Sequence, residues 1–322
     1  MKKISLLFVA ILCVAFFTAC GTDIKTTATS DGTETKIVKH MKGETEVPTN
    51  PIRIVDISGS AEELDILGIS YIASANTSMF DGITIPEHLE EEFKEKNIEI
   101  VGNWSGMTDI NIEKIVELEP DLIIMNAHSE KIYDQLNKIA PTLMLTDDYT
   151  YIKWRERFLE LGEWFDKRET AENWLKDYDS KAEELSNQVK EVIGDETVAV
   201  LEKNTVYLGS YYIYGTAGPG GIAFTDLNLN HTAITPTDKW AEVIDLESLA
   251  KVDADHIIFT SNDGTLGELE ENPVWNNLKA VKEGNVYLGT NELQYNMSYT
   301  SLGKSMYMEK LAKALINHTD ID

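Results

Sequence analysis

Ile110–Met125, INIEKIVELEPDLIIM, returns 134 positions later as Ile244–Phe259, IDLESLAKVDADHIIF. Five positions are identical, and others are conservative, such as Ile112 against Leu246 and Glu119 against Asp253. Each copy reads as a polar N-cap (Asn111, Asp245), a glutamate two residues on (Glu113, Glu247), a short amphipathic helix, an acidic turn and a buried strand. A repeated helix–turn–strand unit implies two similar α/β lobes, and two lobes imply a cleft. The matched glutamates suggest a partner with two-fold character. This is a binding protein's layout before it is an enzyme's.

The segments around the first copy extend the pattern. Ile37–Met41 and Glu44–Val47 read as a hairpin turning at Gly43, and Pro48–Pro51 breaks the chain before the strand Ile52–Ile57. A helix over Ala61–Leu67, strands at Ile69–Ala73 and Ile98–Val101, a helix over Tyr133–Ile139 and a strand at Leu143–Leu145 complete a β-α-β-α order. That order favours a mostly parallel sheet with covering helices. Helical periodicity then runs through Trp154–Phe165 and Glu169–Ile193. The second of these fits two readings, a stiff spacer between lobes or a surface helix of the first. Beyond it come strands at Thr197–Leu201, Val206–Leu208 and Tyr211–Tyr214, then the glycine-rich Gly215–Gly221. After the second copy, a helix through Ala280, a strand at Val286–Leu288 and a closing helix over Ser298–Ile316 finish the chain.

The N-terminus points to export. Lys2 and Lys3 precede the apolar run Ile4–Phe17 and then Thr18-Ala19-Cys20. A basic start, a short apolar stretch and small residues before the break make a secretory signal, too short to span a bilayer. Cys20 stands where a bacterial lipobox carries its lipidated cysteine, with Phe17 in the place usual for Leu. The only other cysteine, Cys13, is lost with the signal, so the mature chain keeps no free thiol, disulfide or cysteine metal site. The expected divisions are a signal (1–19), a flexible tether (20–36), an N-terminal lobe (37–150), connecting helices (151–193) and a C-terminal lobe (194–322). Formal charge is −27, or −29 once the leader's two lysines are removed, which argues against nucleic acid or anionic lipid as partner.

With both copies and their flanks in place, the chain resembles the class III solute receptors of ABC transporters, the iron–siderophore binding lipoproteins. The carriers are the lipobox, TEVPTNPIRIV (45–55), VGNWSGMTDINIEKIVELEPDLII (101–124), KIAPTLML (138–145), YYIYGTAGPGGIAF (211–224), NPVWNNLKAVKEGNVYL (272–288) and the terminal helix. The resemblance implies two three-layer α/β lobes joined by one long helix, with a shallow cleft and little closure. It implies a monomer on the extracytoplasmic face of the cell membrane, lipid-anchored at Cys20, serving an ABC permease dimer and its ATPase. By motif position, Glu113 and Glu247 become the two carboxylates that dock on permease arginines, a short and directional pairing. A first-turn glutamate is also favoured by the helix dipole, which accounts for one such residue more easily than for a matched two.

A ferric siderophore brings iron already wrapped in oxygens, so the receptor needs no metal cluster or cofactor of its own. It needs aromatic walls and polar groups, which the loops after the strands supply: Asn76, Trp104, Met107, Asn126, His128, Lys203, Tyr211, Tyr212, Tyr214, Thr260, Ser261, Tyr295 and Tyr299. Catecholate-binding relatives carry arginines on the strand matching Ala199–Lys203, where this chain has only Lys203, so a hydroxamate is favoured over a catecholate. The Trp and Arg of hydroxamate receptors are here Ala217 and Pro219. Haem or a corrinoid is the alternative cargo; related haem receptors use a Met near Met107 and a His where Ser261 and Asn262 stand. Gly218–Ala223 matches G-x-G-x-x-A with Asp238 downstream, but Asn230–Lys239 reads as loop, so a close approach of ligand or helix to the backbone is the better reading. An exported hydrolase stays the alternative of a different class, without a G-x-S-x-G motif or thiol to carry it; the expected protein is not an enzyme.

Overall fold

The computed structural model describes residues 27–28, 34–146, 153–203 and 210–321. Cys20, the signal and the strand expected at Val206–Leu208 lie outside the described residues. Near the start, β1 (Thr27–Ala28), β2 (Glu34–His40) and β3 (Gly43–Pro48) form a small antiparallel sheet. Glu34–Lys36 were expected in the tether; they are strand instead, because Thr35 and Lys36 pair with Pro48 and Val47 and are buried there.

The N-terminal sheet is wholly parallel. Its strands β4 (Ile54–Ile57), β5 (Ala73–Ser74), β6 (Glu99–Ile100), β7 (Leu122–Met125) and β8 (Thr142–Met144) lie in the order β6-β5-β4-β7-β8. The helices between them are α1 (Ala61–Ile66), α2 (Glu87–Lys96), α3 (Ile112–Glu117) and α4 (Tyr133–Leu136). The connector follows as α5 (Trp154–Trp164) and α6 (Arg168–Ile193). The C-terminal sheet holds β9 (Thr197–Lys203), β10 (Ser210–Tyr214), β11 (Asn230–His231), β12 (Ala241–Asp245), β13 (His256–Ser261) and β14 (Val286–Thr290), in the order β12-β10-β9-β13-β14 with β11 beside β9. Its helices are α7 (Gly218–Gly221), α8 (Leu246–Leu249), α9 (Pro273–Asn276), α10 (Lys279–Glu283), α11 (Asn291–Met297) and α12 (Ser301–Asn317).

The two copies of the repeat fold alike, down to their hydrogen bonds. Asn111 accepts the backbone N–H of Lys114 at 3.0 Å, and Asp245 accepts that of Ser248 at 2.8 Å. Asp121 and Asp255, one of the identical pairs, sit just before the interior strands β7 and β13. Asp121 receives the N–H groups of Ile52 and Arg53 at 2.8 and 2.9 Å, and Asp255 receives that of Thr197 at 2.7 Å. Each aspartate therefore pins the entry of the neighbouring parallel strand, where backbone donors have no ladder partner. The acidic turn noticed in the sequence is a strand clamp used twice.

Strand alternation sorts the side chains into three cores. Val55, Ile57, Ile123 and Met125 face outward onto Ile115 of α3 and Leu136 of α4. Ala199, Leu201, Ile257 and Phe259 face outward onto Leu249 of α8 and Trp275 of α9. The opposite faces, through Ile54, Leu122 and Ile124 on one side and Val198, Val200 and Ile258 on the other, share one continuous cluster with α5, α6 and α12. The long helix is thus neither a free spacer nor the property of one lobe. Ala171, Leu175, Tyr178, Ala182, Val189 and Ile193 of α6 all enter the shared core. At its end Val192 is exposed and Ile193 takes the buried place.

Other expectations need correction in detail. The closing helix expected over Ser298–Ile316 is α12, beginning at Ser301, and α11 before it was not foreseen. Asn230–His231, read as loop, is a short strand paired in parallel with Thr197–Val198. β12 was not foreseen, because an edge strand with exposed Glu242 and Val243 lacks a buried face.

Candidate functional site

The C-terminal ends of the parallel strands carry the loops that meet between the lobes. On the N-terminal side the WSGM loop is organised by Asn103, fully buried. Its amide donates to the Thr77 and Ser78 carbonyls at 3.2 and 3.3 Å, and its oxygen accepts the N–H groups of Ser105 and Met107 at 3.0 and 3.2 Å. Trp104 consequently lies flat over Gly59, where any Cβ would come within 2.6 Å of the indole. His128 meets the same indole edge-on, with ring centroids 6.3 Å apart. Met107 stands out from this wall, 51% exposed.

Asn126 is at the same place but faces inward. Its amide donates to the Ser58 and Trp104 carbonyls at 3.0 and 3.1 Å, and its oxygen accepts the His128 N–H at 2.9 Å. It braces Trp104 and His128, with both ends of its amide already engaged. Asn76 lines the narrow cavity between the lobes together with Met79, Trp104, Tyr295 and Asn296. That cavity holds only about 10 Å³, room for one water at most and far below the roughly 300–1,000 Å³ of a ligand site, so it is a closed floor between the lobes and not itself the site.

Helix α11 bridges this floor. Asn296 accepts the Met79 N–H at 3.2 Å and the Tyr295 ring lies 6.5 Å from Phe80, both on the N-terminal side. Its other side reaches the C-terminal lobe. Tyr295 and Tyr214 both donate their hydroxyls to Glu202, and Gln294 donates to the same carboxylate at 3.0 Å. Glu202 is 1% exposed at the cleft end of β9, and burial pushes its carboxyl up from the usual range, against the pull of the three donors. The same burial, with the neighbouring carboxylate, raises the Tyr214 and Tyr295 hydroxyls.

Above this network Tyr212, Tyr214 and Trp240 form an aromatic cluster, with Trp240 5.6 Å from Tyr212 and 5.7 Å from Tyr214. Tyr299 packs from the α11–α12 junction against the N-terminal core, and Gly218 approaches its ring so closely that a Cβ would lie 3.3 Å from it. Gly220 is equally constrained, since a Cβ there would fall 2.0 Å from the Gly215 carbonyl oxygen. The glycine-rich segment is therefore close backbone packing of α7, as the second reading of Gly218–Ala223 expected.

Three other candidates point elsewhere. Tyr211 faces the outer core against Phe259, on the side of the sheet opposite Tyr212. Ser261 donates to the Thr265 carbonyl at 2.8 Å and shapes a turn with Asp263. Lys203 sits at the cleft end of β9 but its ammonium pairs with Glu268 at 2.9 Å. Thr260 is buried beside Glu202 in the adjoining strand, with its hydroxyl unpartnered among the described residues. Glu113 and Glu247 are both exposed, each the second residue of its capped helix. Sequence reasoning missed Glu202, Gln294, Phe80 and Trp240. The one available signal was an acid inside the otherwise apolar strand TVAVLEK.

The four arginines decide the electrostatics. Arg53 donates to the Leu118 and Glu119 carbonyls, Arg155 pairs with Asp179 and Asp226, Arg157 reaches Glu63, and Arg168 pairs with Glu163 and Glu172. None belongs to the cleft. Among the described residues, no group of three or more His, Cys, Asp or Glu is placed to hold a metal ion, and no helix is long and apolar enough to cross a membrane.

Two α/β lobes sharing a helical core, with an aromatic cleft at the strand ends, define an extracytoplasmic-type solute receptor of the class III fold. The chain belongs to the periplasmic binding protein family, whose profile matches residues 83–293. It is similar to the iron(3+)-hydroxamate-binding protein FhuD of Bacillus subtilis, 28% identical and covering 89% of this chain and 90% of that one. It is also similar to the iron(3+)-hydroxamate-binding protein YxeB of the same organism, 28% identical over 99% of this chain and 98% of that one. Among solved structures, Staphylococcus aureus SirA complexed with staphyloferrin B superposes with a TM-score of 0.71 at 25% identity, covering 87% of this chain and 98% of SirA.

Proposed function

We propose that this protein captures a ferric siderophore outside the cytoplasm and delivers it to an ABC permease for iron uptake, with a hydroxamate complex preferred over a catecholate. The observation that carries the reading is a set of aromatic side chains at the strand ends without a guanidinium among them: Trp104 and Tyr295 line the interlobe cavity and Tyr212 packs on Trp240, while all four arginines are engaged elsewhere. A multiply anionic catecholate needs counter-charges that this cleft does not offer, whereas a neutral ferric hydroxamate is served by rings and amides. The names of the relatives FhuD and YxeB support the same cargo. Glu113 and Glu247 are assigned to permease docking, since both stand exposed at equivalent capped turns. Cys20 is assigned to the lipid anchor, which agrees with the naming of the Bacillus relative YfiY as a lipoprotein. The receptor acts as a monomer without a cofactor and without catalysis, its iron held by the siderophore.

Tryptophan-fluorescence titration with ferric hydroxamates, a ferric catecholate, ferric citrate and haem tests this. Saturable quenching by the hydroxamates at the lowest concentrations is expected. Quenching by none of the iron chelates, or a Soret band from bound haem in their place, would overturn it.

A further inference from the structure

The small N-terminal sheet leaves one strand edge open. Pro48 has no N–H to offer Thr35 across β2 and β3, and the Glu34 carbonyl accepts the Thr49 N–H at 2.9 Å. Residues 34, 36, 38 and 40 therefore bond to β3, while 35, 37 and 39 turn their backbone groups the other way. β1 takes Thr35, and the Trp164 indole donates to the Lys39 carbonyl at 3.2 Å. Between them, the Ile37 N–H and C=O and the Lys39 N–H have no partner among the described residues. A groove of about 460 Å³ runs along this stretch, with Val38, His40, Glu163 and Trp164 among its walls.

The pairing of β1 indicates what fits there. It sets Thr27 against Thr35 and Ala28 against Glu34, and the same antiparallel register carried back sets Lys25 against Ile37 and Asp23 against Lys39. Residues 23–26 lie outside the described residues, but their sequence, DIKT, suits the two faces of β2. Ile24 falls opposite Val38, on the face where Lys36, Val38 and His40 are buried. Asp23 falls opposite the exposed Lys39, an opposite-charge cross-strand pair. Lys25 falls on that same exposed face, across Ile37 from Glu46. A one-residue slip would turn both charges inward and the isoleucine outward. We propose that residues 23–26 add to the edge of β2 as a continuation of β1, with Ile24 in the groove. The chain is then free only from Cys20 to Asp23, a reach of about 10 Å, against about 25 Å if it were free as far as Thr27. That short leash holds the hairpin turn at Met41 and Lys42 toward the bilayer. The docked strand stands on the sheet alone, whereas the leash rests on the reading of Cys20 as the lipid anchor.

Hydrogen exchange of the mature protein in detergent micelles, read residue by residue, tests this. The Lys25 and Ile37 amides are expected to exchange at least tenfold more slowly than in an unstructured chain. Ile24→Asp, which sets a carboxylate into the groove, is expected to return both to the unstructured rate, while Lys25→Gln on the exposed face leaves both slow. Free exchange at Lys25 in the unmodified protein overturns the proposal. So does protection lost in Lys25→Gln but kept in Ile24→Asp, because the register would then be wrong. Protection of Ile37 alone that falls on dilution also overturns it, since a second copy of the chain would then hold the edge. Protein released from membranes with Lys25 still protected overturns the anchor and the leash, and supports the docked strand.

Discussion

Glu62, on α1 of the N-terminal lobe, accepts the backbone N–H of Gly303 at 2.9 Å in the first turn of α12, 241 residues away in the chain. It also accepts the Leu302 N–H at 2.7 Å and the Thr300 hydroxyl at 2.8 Å, while His88 holds its other side at 2.7 Å. Thr300, the N-cap of α12, makes no side-chain cap bond itself. A carboxylate from the other lobe therefore does the work of a local cap, and with the shared core it ties the lobes together.

Glu62→Gln should lower stability by about 1–3 kcal/mol, the range for hydrogen bonds to a charged group. Urea unfolding measures this, and hydrogen exchange at Leu302 and Gly303 should speed up in the same variant. An unchanged unfolding midpoint would mean that the cap contributes nothing.

The strand clamps Asp121 and Asp255 should be interchangeable in cost. Replacing either by Ala is expected to lose about 1–2 kcal/mol, with the double variant near the sum. The Lys279 hydrogen bond and those from Thr197 hold the Asp255 carboxyl down at about 2. A depressed carboxylate contributes its full stabilisation above the ordinary value of 3.8 and loses it as pH falls through about 2. Asp255→Asn should consequently flatten the acid limb of the stability profile in that window.

Lys304 is buried among the helices, its ammonium 5.6 Å from the Trp154 ring, and burial lowers it from 10.5 to about 8. Between those two values the unfolded chain holds the proton that the folded one releases, so stability should rise with pH across that window. Lys304→Met should remove this rise. Urea melts between pH 7.5 and 10 (about the range before tyrosines ionise) compare the two proteins directly.

Gly220→Ala forces backbone apart, since the added carbon would meet the Gly215 carbonyl at 2.0 Å. A loss above about 2 kcal/mol is expected, with weaker ligand binding because Gly218 and Tyr299 shift together. Thermal melts and the same quenching titration would reveal it.

Glu113→Ala combined with Glu247→Ala should abolish iron uptake in cells while leaving chelate affinity and melting temperature unchanged. Uptake that survives both substitutions would remove the docking role.

The lobes, the caps and the outer cores were legible because the repeat writes them locally, in residues three to ten positions apart. The cleft floor was not. Glu202 draws its partners from 12, 92 and 93 residues away, and no local pattern announces such a meeting. Asn126, singled out as a polar residue after a strand, also has a structural task that no local pattern announces: it spends its amide on the Ser58 and Trp104 carbonyls. Tyr211 could have been sorted correctly, since strand alternation sends it and Tyr212 to opposite faces.

The paired corners at Asn111–Glu113 and Asp245–Glu247 have a consequence for handover. Two equivalent acidic corners on one molecule present nearly the same handle after a half-turn, so a two-fold permease could seat the receptor in either of two poses. The side chains at the strand ends do not share that symmetry, because Trp104 and Met107 stand on the N-terminal lobe and the packed pair Tyr212 and Trp240 on the C-terminal one. Whichever pose is taken, a chelate lying over the α11 bridge near the pseudo-axis would face the same exit, and delivery would not depend on which way round the receptor lands.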